Sequence, residues 1–360
     1  MIQNISSEKT AKMKTGVFWR FAALAFTAFA FALTSGCRST PAENEDMQGE
    51  EHEASSADEN VLALPTFAPL QLDGGRLHVV ATTSIIGDVV AHVGGDAIDL
   101  TVLIDPGVDA HSYQPGARDL VAVEQAGVVF VNGWGLEGGL VEDLEAIMDE
   151  LLVVPVSAGI VPLAATGHQH DAGTEDGQGH GSTDPHVWFD LQNVELWVEN
   201  IAHVLSELDP ANTGEYSENA AAYQAELEEL ETYALAHLEE IPPENRYLVT
   251  NHDSFGYFAL AYGFEVIATV IPAASTLAEP SASDLADLIE EMGAHGICTI
   301  FSETSVNDDL AQTAAAELAG CEAVQVIPLY TEALGAPGSG AETFIRMFTA
   351  NVDAIVAGLK

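Results

Sequence analysis

Between Pro210 and the Pro242-Pro243 pair runs one unbroken segment, 211-ANTGEYSENAAAYQAELEELETYALAHLEEI-241, rich in Ala, Glu and Leu. Its apolar residues recur at three- and four-residue spacing, which predicts a single helix of up to about 25 residues. Proline has no N–H to give and its ring clashes with the preceding turn, so the prolines bound the helix. Whatever this chain folds into has to accommodate that rod.

On the amino-terminal side of the rod, strands and helices alternate. The β-branched run 77-LHVVATTS-84 leads into a helical stretch, 85-IIGDVVAHVGG-95. Then come 98-IDLTVLI-104, a helix over 117–126, 128-VVFVN-132, a helix over 140–149 and 152-LVVPVS-157. A further helical pattern, 190–210, starts at the capping residue Asp190. On the carboxyl-terminal side the strands are 246-RYLVT-250, 264-FEVIATVI-271, 297-ICTIFSE-303 and 323-AVQVIPL-329. Helices are expected over 254–262, 281–292, 308–319 and 342–358. Such alternation predicts parallel sheets. The expected fold is α/β: two parallel-sheet α/β lobes, 76–209 and 244–360, joined by the long rigid helix within 211–241. The ligand site is expected in the groove between them.

The first 36 residues read as an export signal. Lys9, Lys12, Lys14 and Arg20 precede the apolar run 21-FAALAFTAFAFAL-33, and small residues follow in 34-TSGC-37. The ending is similar to a bacterial lipobox, with Cys37 as the lipidated residue, although Thr34 stands where Leu is usual. An unmodified Cys37 after a plain cleaved signal is the alternative. Residues 37–75, acidic and Ser-rich with Pro near both ends, read as a flexible tether holding a domain off a membrane. The only other cysteines, Cys298 and Cys321, are an even pair in an exported chain and suggest a disulfide, against two buried thiols. With 10 Lys+Arg against 56 Asp+Glu, the chain lacks the basic footprint that nucleic acid requires. The acids make a solubilising surface that concentrates cations without specifying a site.

Four segments put a metal-competent side chain where a strand ends or a loop begins. They are 109-DAHSYQPG-116 with His111, 184-DPHVWFD-190 with His186, 250-TNHDSFGYF-258 with His252, and 329-LYTEALG-335 with Glu332. Two come from each lobe. Three imidazoles and a carboxylate form a nitrogen-rich set that suits Zn(II).

These motifs, together with 301-FSETSV-306, resemble those of the zinc/manganese solute-binding proteins of bacterial metal ABC transporters over about residues 76–359. The resemblance implies an extracytoplasmic, often lipid-anchored protein of the helix-bridged two-lobe metal-receptor type. It implies that His111, His186, His252 and Glu332 ligate the metal. Ala110 stands where many members have Pro, and Gln114 and Glu332 where many have Glu and Asp. His252 favours zinc, since manganese members tend to have a carboxylate there. Glu303 is implied to be a hydrogen-bonding acid beside the cleft. Asp184 and Asp253 could orient imidazole rings or simply cap turns. Trp188, Phe255 and Tyr257 are expected to pack the cleft walls, and His78, His92, His203, His237 and His295 to be structural.

The expected function is capture of Zn(II) and delivery to an ABC permease by a monomer, without catalysis. Manganese as the solute is the main alternative. A zinc hydrolase would want an open coordination position and a general base, and no compact H-E-x-x-H motif occurs. An adhesin role, described for some members, has no residues of its own to argue for it. His168, His170 and His180 lie in the Gly/Asp-rich loop 166–183, which lacks periodicity. They are expected to hold zinc transiently near the cleft mouth, against a simple spacer. Because imidazoles ligate only when neutral, metal affinity is expected to fall below about pH 6.

Overall fold

A computed structural model describes residues 61–138, 140–141, 151–165 and 183–360. The export signal, Cys37, the acidic part of the tether, most of the helix expected over 140–149, and His168, His170 and His180 lie outside the described residues. Among the described residues no helix is long and apolar enough to cross a membrane.

The first lobe carries β1 (Leu77–Ala81), α1 (Ser84–Gly94), β2 (Ile98–Val102), α2 (Ala117–Glu124), β3 (Val128–Val131) and β4 (Val153–Pro155). Next come α3 (Leu191–Leu208) and the long α4 (Thr213–Leu238). The second lobe carries β5 (Tyr247–His252), α5 (Gly256–Tyr262), β6 (Glu265–Ile271), α6 (Ala282–His295), β7 (Thr299–Glu303), α7 (Asp309–Glu317), β8 (Gln325–Leu329) and α8 (Phe344–Leu359). Each lobe holds a four-stranded parallel sheet, ordered β2-β1-β3-β4 and β6-β5-β7-β8. In each, the order reverses beside the first strand, and loops leaving the carboxyl ends open onto a crevice there.

The rod is α4, 26 residues long. Its buried residues are Tyr216, Ala220, Tyr223, Leu227, Leu230, Ala234 and Leu238, a stripe stepping by three and four. That stripe packs on α1 and α3 of the first lobe and on α8 of the second. Burying its five large side chains contributes on the order of 10 kcal/mol before chain entropy is subtracted. Pro210 opens a separate short 3-10 turn, so the helix proper starts at Thr213 rather than 211. At the other end Arg246 donates to the Leu238 and Ile241 carbonyls at 3.3 and 3.2 Å, satisfying acceptors the helix leaves over. The same guanidinium lies 5.7 Å over the Phe264 ring.

One continuous apolar core runs from the first sheet through α1, α3 and α4 to Phe255, Phe258, Phe344 and Phe348 of the second lobe. A separate, smaller core of Val249, Val270, Leu288, Met292, Ile297, Ile300, Ala311 and Ala314 lies under α6 and α7. Beside it Cys298 and Cys321 are joined by a disulfide.

Residues 61–75 correct the expectation of a free tether. Leu62 accepts the Gly159 N–H, Leu70 donates to the Leu208 carbonyl, both at 2.9 Å, and Phe67 sits edge-on to His203. The reason is compositional. This stretch reads 61-VLALPTFAPLQLDGG-75, and its Leu64, Phe67 and Leu72 pack against the first lobe's core.

Candidate metal centre

His252 is the last residue of β5 and Glu303 the last of β7. The two strands are parallel with Thr250 opposite Phe301, so two residues further on His252 and Glu303 share a face. Glu303 Oε1 binds both the ring Nδ1 and, at 3.2 Å, the backbone N–H of His252. Glu303 Oε2 accepts from the Thr331 hydroxyl at 2.8 Å, one residue before Glu332.

His186 is held by the turn 184-DPH-186. Asp184 Oδ1 accepts its backbone N–H at 2.9 Å and its ring Nδ1 at 2.7 Å. Asn132, at the end of β3, donates to the Pro185 carbonyl at 2.9 Å. Gly256 opens α5 against this turn. A Cβ there would lie 2.7 Å from Asp184 Oδ2, so only glycine allows the approach. The chain then makes one 3-10 turn, Val187–Phe189, and Asp190 caps α3 through the Gln192 N–H.

His111 stands in the irregular stretch between β2 and α2, where Asp109 Oδ1 accepts its N–H at 2.9 Å. Glu332 follows β8. Asn351 of α8 pairs with both backbone groups of Tyr330, at 2.9 and 2.7 Å, and Trp188 donates to the Thr331 carbonyl at 3.1 Å. The turn beyond Glu332 docks on the start of α1, where the Leu334 N–H reaches Ser84 Oγ at 3.1 Å.

These four elements bring His111, His186, His252 and Glu332 together, with one ligand-competent atom from each inside a 4.8 Å cluster. The Nε2 of His186 lies 3.3 Å from that of His111 and 3.1 Å from that of His252. Glu332 Oε1 is 3.2 and 3.3 Å from the Nε2 of His186 and His252, and Oε2 is 3.5 Å from that of His111. Ligands of a zinc at about 2.0–2.2 Å lie roughly 3.3–3.6 Å apart, and five of the pairwise contacts, at 3.1–3.5 Å, are close to that range, as donors gathered around one cation would be. The tautomers agree. The Nδ1 atoms of His186 and His252 face carboxylates and carry the protons, which leaves the Nε2 lone pairs pointing inward. All four side chains are buried, yet neither Glu332 oxygen accepts a hydrogen bond. A buried carboxylate facing imidazole Nε2 atoms is costly unless positive charge sits among them, and a cation would supply it.

Without a cation, protons take its place. Burial opposes charge on His186, but Glu332 and Asp184 outweigh it and raise its pKa to about 9. Burial likewise opposes charge on His252, and Glu303 and Glu332 hold its pKa well above the usual value. Burial lowers His111 to about 4, aided by the neighbouring imidazoles and opposed by Glu332. The Glu332 carboxyl, despite burial, sits well below the ordinary range because His186 and His111 face it. Competition between protons and metal therefore reaches higher in pH than the reference imidazole value suggests.

Several side chains that shape the site carry no local signal. Thr331, Asn351, Ser84 and Asn132 are ordinary polar residues until the fold sets them beside ligand-bearing turns. Glu137 is one more: fully buried, it accepts from the Thr82 hydroxyl at 2.7 Å and the Asn132 N–H at 2.6 Å. Burial is the main cause of its raised pKa.

A family model described as zinc-uptake complex component A, periplasmic, matches residues 79–358. The manganese-binding lipoprotein MntA of Halalkalibacterium halodurans is 35% identical over 289 residues, 80% of this chain and 90% of its own. The zinc-binding protein TroA of Treponema pallidum is 34% identical over 287 residues, 79% of this chain and 89% of its own. Its solved structure superposes with a TM-score of 0.69 over 79% of this chain and 99% of that one, at 32% identity. The iron-binding protein YfeA of Yersinia pestis is 32% identical over 284 residues, 79% of this chain and 86% of its own. Relatives of similar identity thus carry the names of three different metals.

Proposed function

This chain belongs to the periplasmic zinc-uptake complex component A family, and from that premise we propose that it captures Zn(II) between its lobes and hands it to an ABC permease. The family consists of solute-binding components of metal importers, not enzymes. The observation that carries zinc is the donor set: three imidazole nitrogens and one carboxylate gathered within 4.8 Å, with His111, His186, His252 and Glu332 as ligands. Imidazole-rich four-coordination suits Zn(II), whereas Mn(II) favours more oxygen ligands and higher coordination numbers. The two lipoprotein-like features, the 34-TSGC-37 ending and the acidic stretch behind it, support anchoring through Cys37 outside the cytoplasm. His168, His170 and His180 act in this reading as a transient zinc reserve beside the tight site. Deleting 168–181 leaves one tight site and removes weaker ones.

The test is metal analysis of the purified mature protein beside His252→Ala. One zinc per wild-type chain and none in the variant is expected. Selective loading with manganese from a mixed-metal medium overturns zinc. One observation favours that second reading: both Glu332 oxygens face the centre unpartnered, so a bidentate carboxylate could raise the coordination to five.

A further inference from the structure

Of the four proposed ligands, His186 and His252 are completely sealed and Glu332 is 1% exposed, whereas His111 is 7% exposed. The route for an ion in or out therefore passes His111. This residue also has the softest mounting. His252 ends a strand and His186 sits in a proline-stiffened turn, but His111 lies in residues 103–116, which form neither helix nor strand. Gly107, at φ +80°, lets that stretch turn. Among the described residues no carboxylate holds the His111 Nδ1, unlike those of His186 and His252.

What ties this stretch to the opposite lobe is Asp109. Its Oδ1 accepts the His111 N–H, and its Oδ2 accepts from the Thr276 hydroxyl at 2.6 Å. Thr276 belongs to residues 272–281, between β6 and α6, on the lobe that carries His252. That loop is itself hung from the ligand strand, because the Ala273 carbonyl accepts the Asp253 N–H at 3.0 Å. One buried carboxylate thus fixes the backbone of the outermost ligand and grips the facing lobe.

We propose that the Asp109–Thr276 hydrogen bond is a latch over the metal's exit that slows release past His111. The inference rests on the four-residue metal site. Neither latch residue touches the ion. The bond crosses between lobes, so a small parting of the two loops breaks it and frees the His111 stretch while His186, His252 and Glu332 keep their mounts. The hydroxyl-to-carboxylate bond is of the stronger, charge-assisted kind.

The test loads the mature protein with one Zn(II) and follows transfer to excess chromogenic chelator by stopped flow. Thr276→Val, which keeps the shape and removes the hydroxyl, is expected to release zinc roughly tenfold faster, as loss of a hydrogen bond to a charged group implies. Thr276→Ala should behave alike and covers any failure of the valine variant to fold. Thr276→Ser should return release to within about twofold of wild type. Co(II) absorption of each variant should keep the four-coordinate signature of the wild type. Wild-type release rates in the valine and alanine variants with that spectrum intact overturn the latch. So does a serine variant as fast as valine. If the wild type itself gives no four-coordinate Co(II) signature, the site reading fails and the latch falls with it.

Discussion

The two lobes repeat one strand order yet differ in depth. In the first, α1 buries Ile85, Ile86, Val89, Val90 and Val93, and α3 buries eight apolar residues including Trp197. In the second, the outer helix α6 buries only Leu288 and Met292, and α7 only Ala311 and Ala314. The inner side of the second sheet leans on the continuous core through α8, with Phe344, Met347 and Phe348 sealed. So the ends of β5, β7 and β8 that carry His252, the supporting Glu303 and, just beyond, Glu332 stand between a deep layer and a shallow one. A layer with few buried apolar contacts opens at lower free energy than the rest. The loop carrying Thr276 belongs to that shallow layer.

The largest effect should separate the lobes outright. Trp197→Ala removes a sealed indole that also donates to Ser157 Oγ at 3.1 Å. It should cost about 3–5 kcal/mol and lower the melting of the whole protein. Leu288→Ala should instead raise amide exchange within 282–317 at modest global cost. If both variants lower the global melt equally, the two depths are not energetically distinct.

Next is the disulfide, which closes a loop with a separation of 23 residues. Replacing both Cys298 and Cys321 with Ser should destabilise the shallow layer by about 3 kcal/mol. Zinc stoichiometry should be unchanged, since neither sulfur approaches the cluster. Denaturant melts read beside metal analysis check this. Loss of zinc would show that the shallow layer holds the ligands in place.

A third pair of variants sharpens the likeness between lobes. Asp184→Asn and Glu303→Gln each remove the charge behind one inward imidazole, one per lobe. Each should weaken zinc binding by roughly 10–100-fold, measured by competition with a chelator. A loss confined to one variant would assign the metal mainly to that lobe.

The smallest effect per step concerns pH. With the His186 pKa raised to about 9 and that of His252 also held well above its usual value, zinc must displace protons from both rings at neutral pH, so affinity should rise by at least about tenfold per pH unit toward pH 9. The metal-free protein should show the opposite slope. A raised imidazole pKa contributes stability that is full below about 6.5 and lost as pH rises through about 9. Isothermal titration and melting across pH 6–10 check both signs. A flat affinity over that range would remove protons from the account.

Local pattern carried far here because parallel strands, a proline-bounded rod and capped helices each follow from short-range rules. The 3.6-residue stripe of α4 and the β-branched runs of β1, β3 and β5 are set by period and side-chain shape alone. The motif around His186 contains its own support, since Asp184 is two residues away and Pro185 stiffens the turn between them. Residues 61–75 were harder to read, because whether an apolar loop is free or docked depends on a surface elsewhere in the chain.

By itself the sequence determined most of the described strands and helices and the four residue types able to bind metal, because those depend on neighbours within a few positions. Only the tertiary structure decided that Glu303 stands behind His252, 51 residues away, that Asn351 and Trp188 hold the residues between β8 and Glu332, and that Thr276 reaches Asp109 across 167 residues. The physical reason is that a hydrogen bond needs its partners within about 3 Å. Over such separations, strand register and lobe packing bring them together, and no spacing along the chain encodes either.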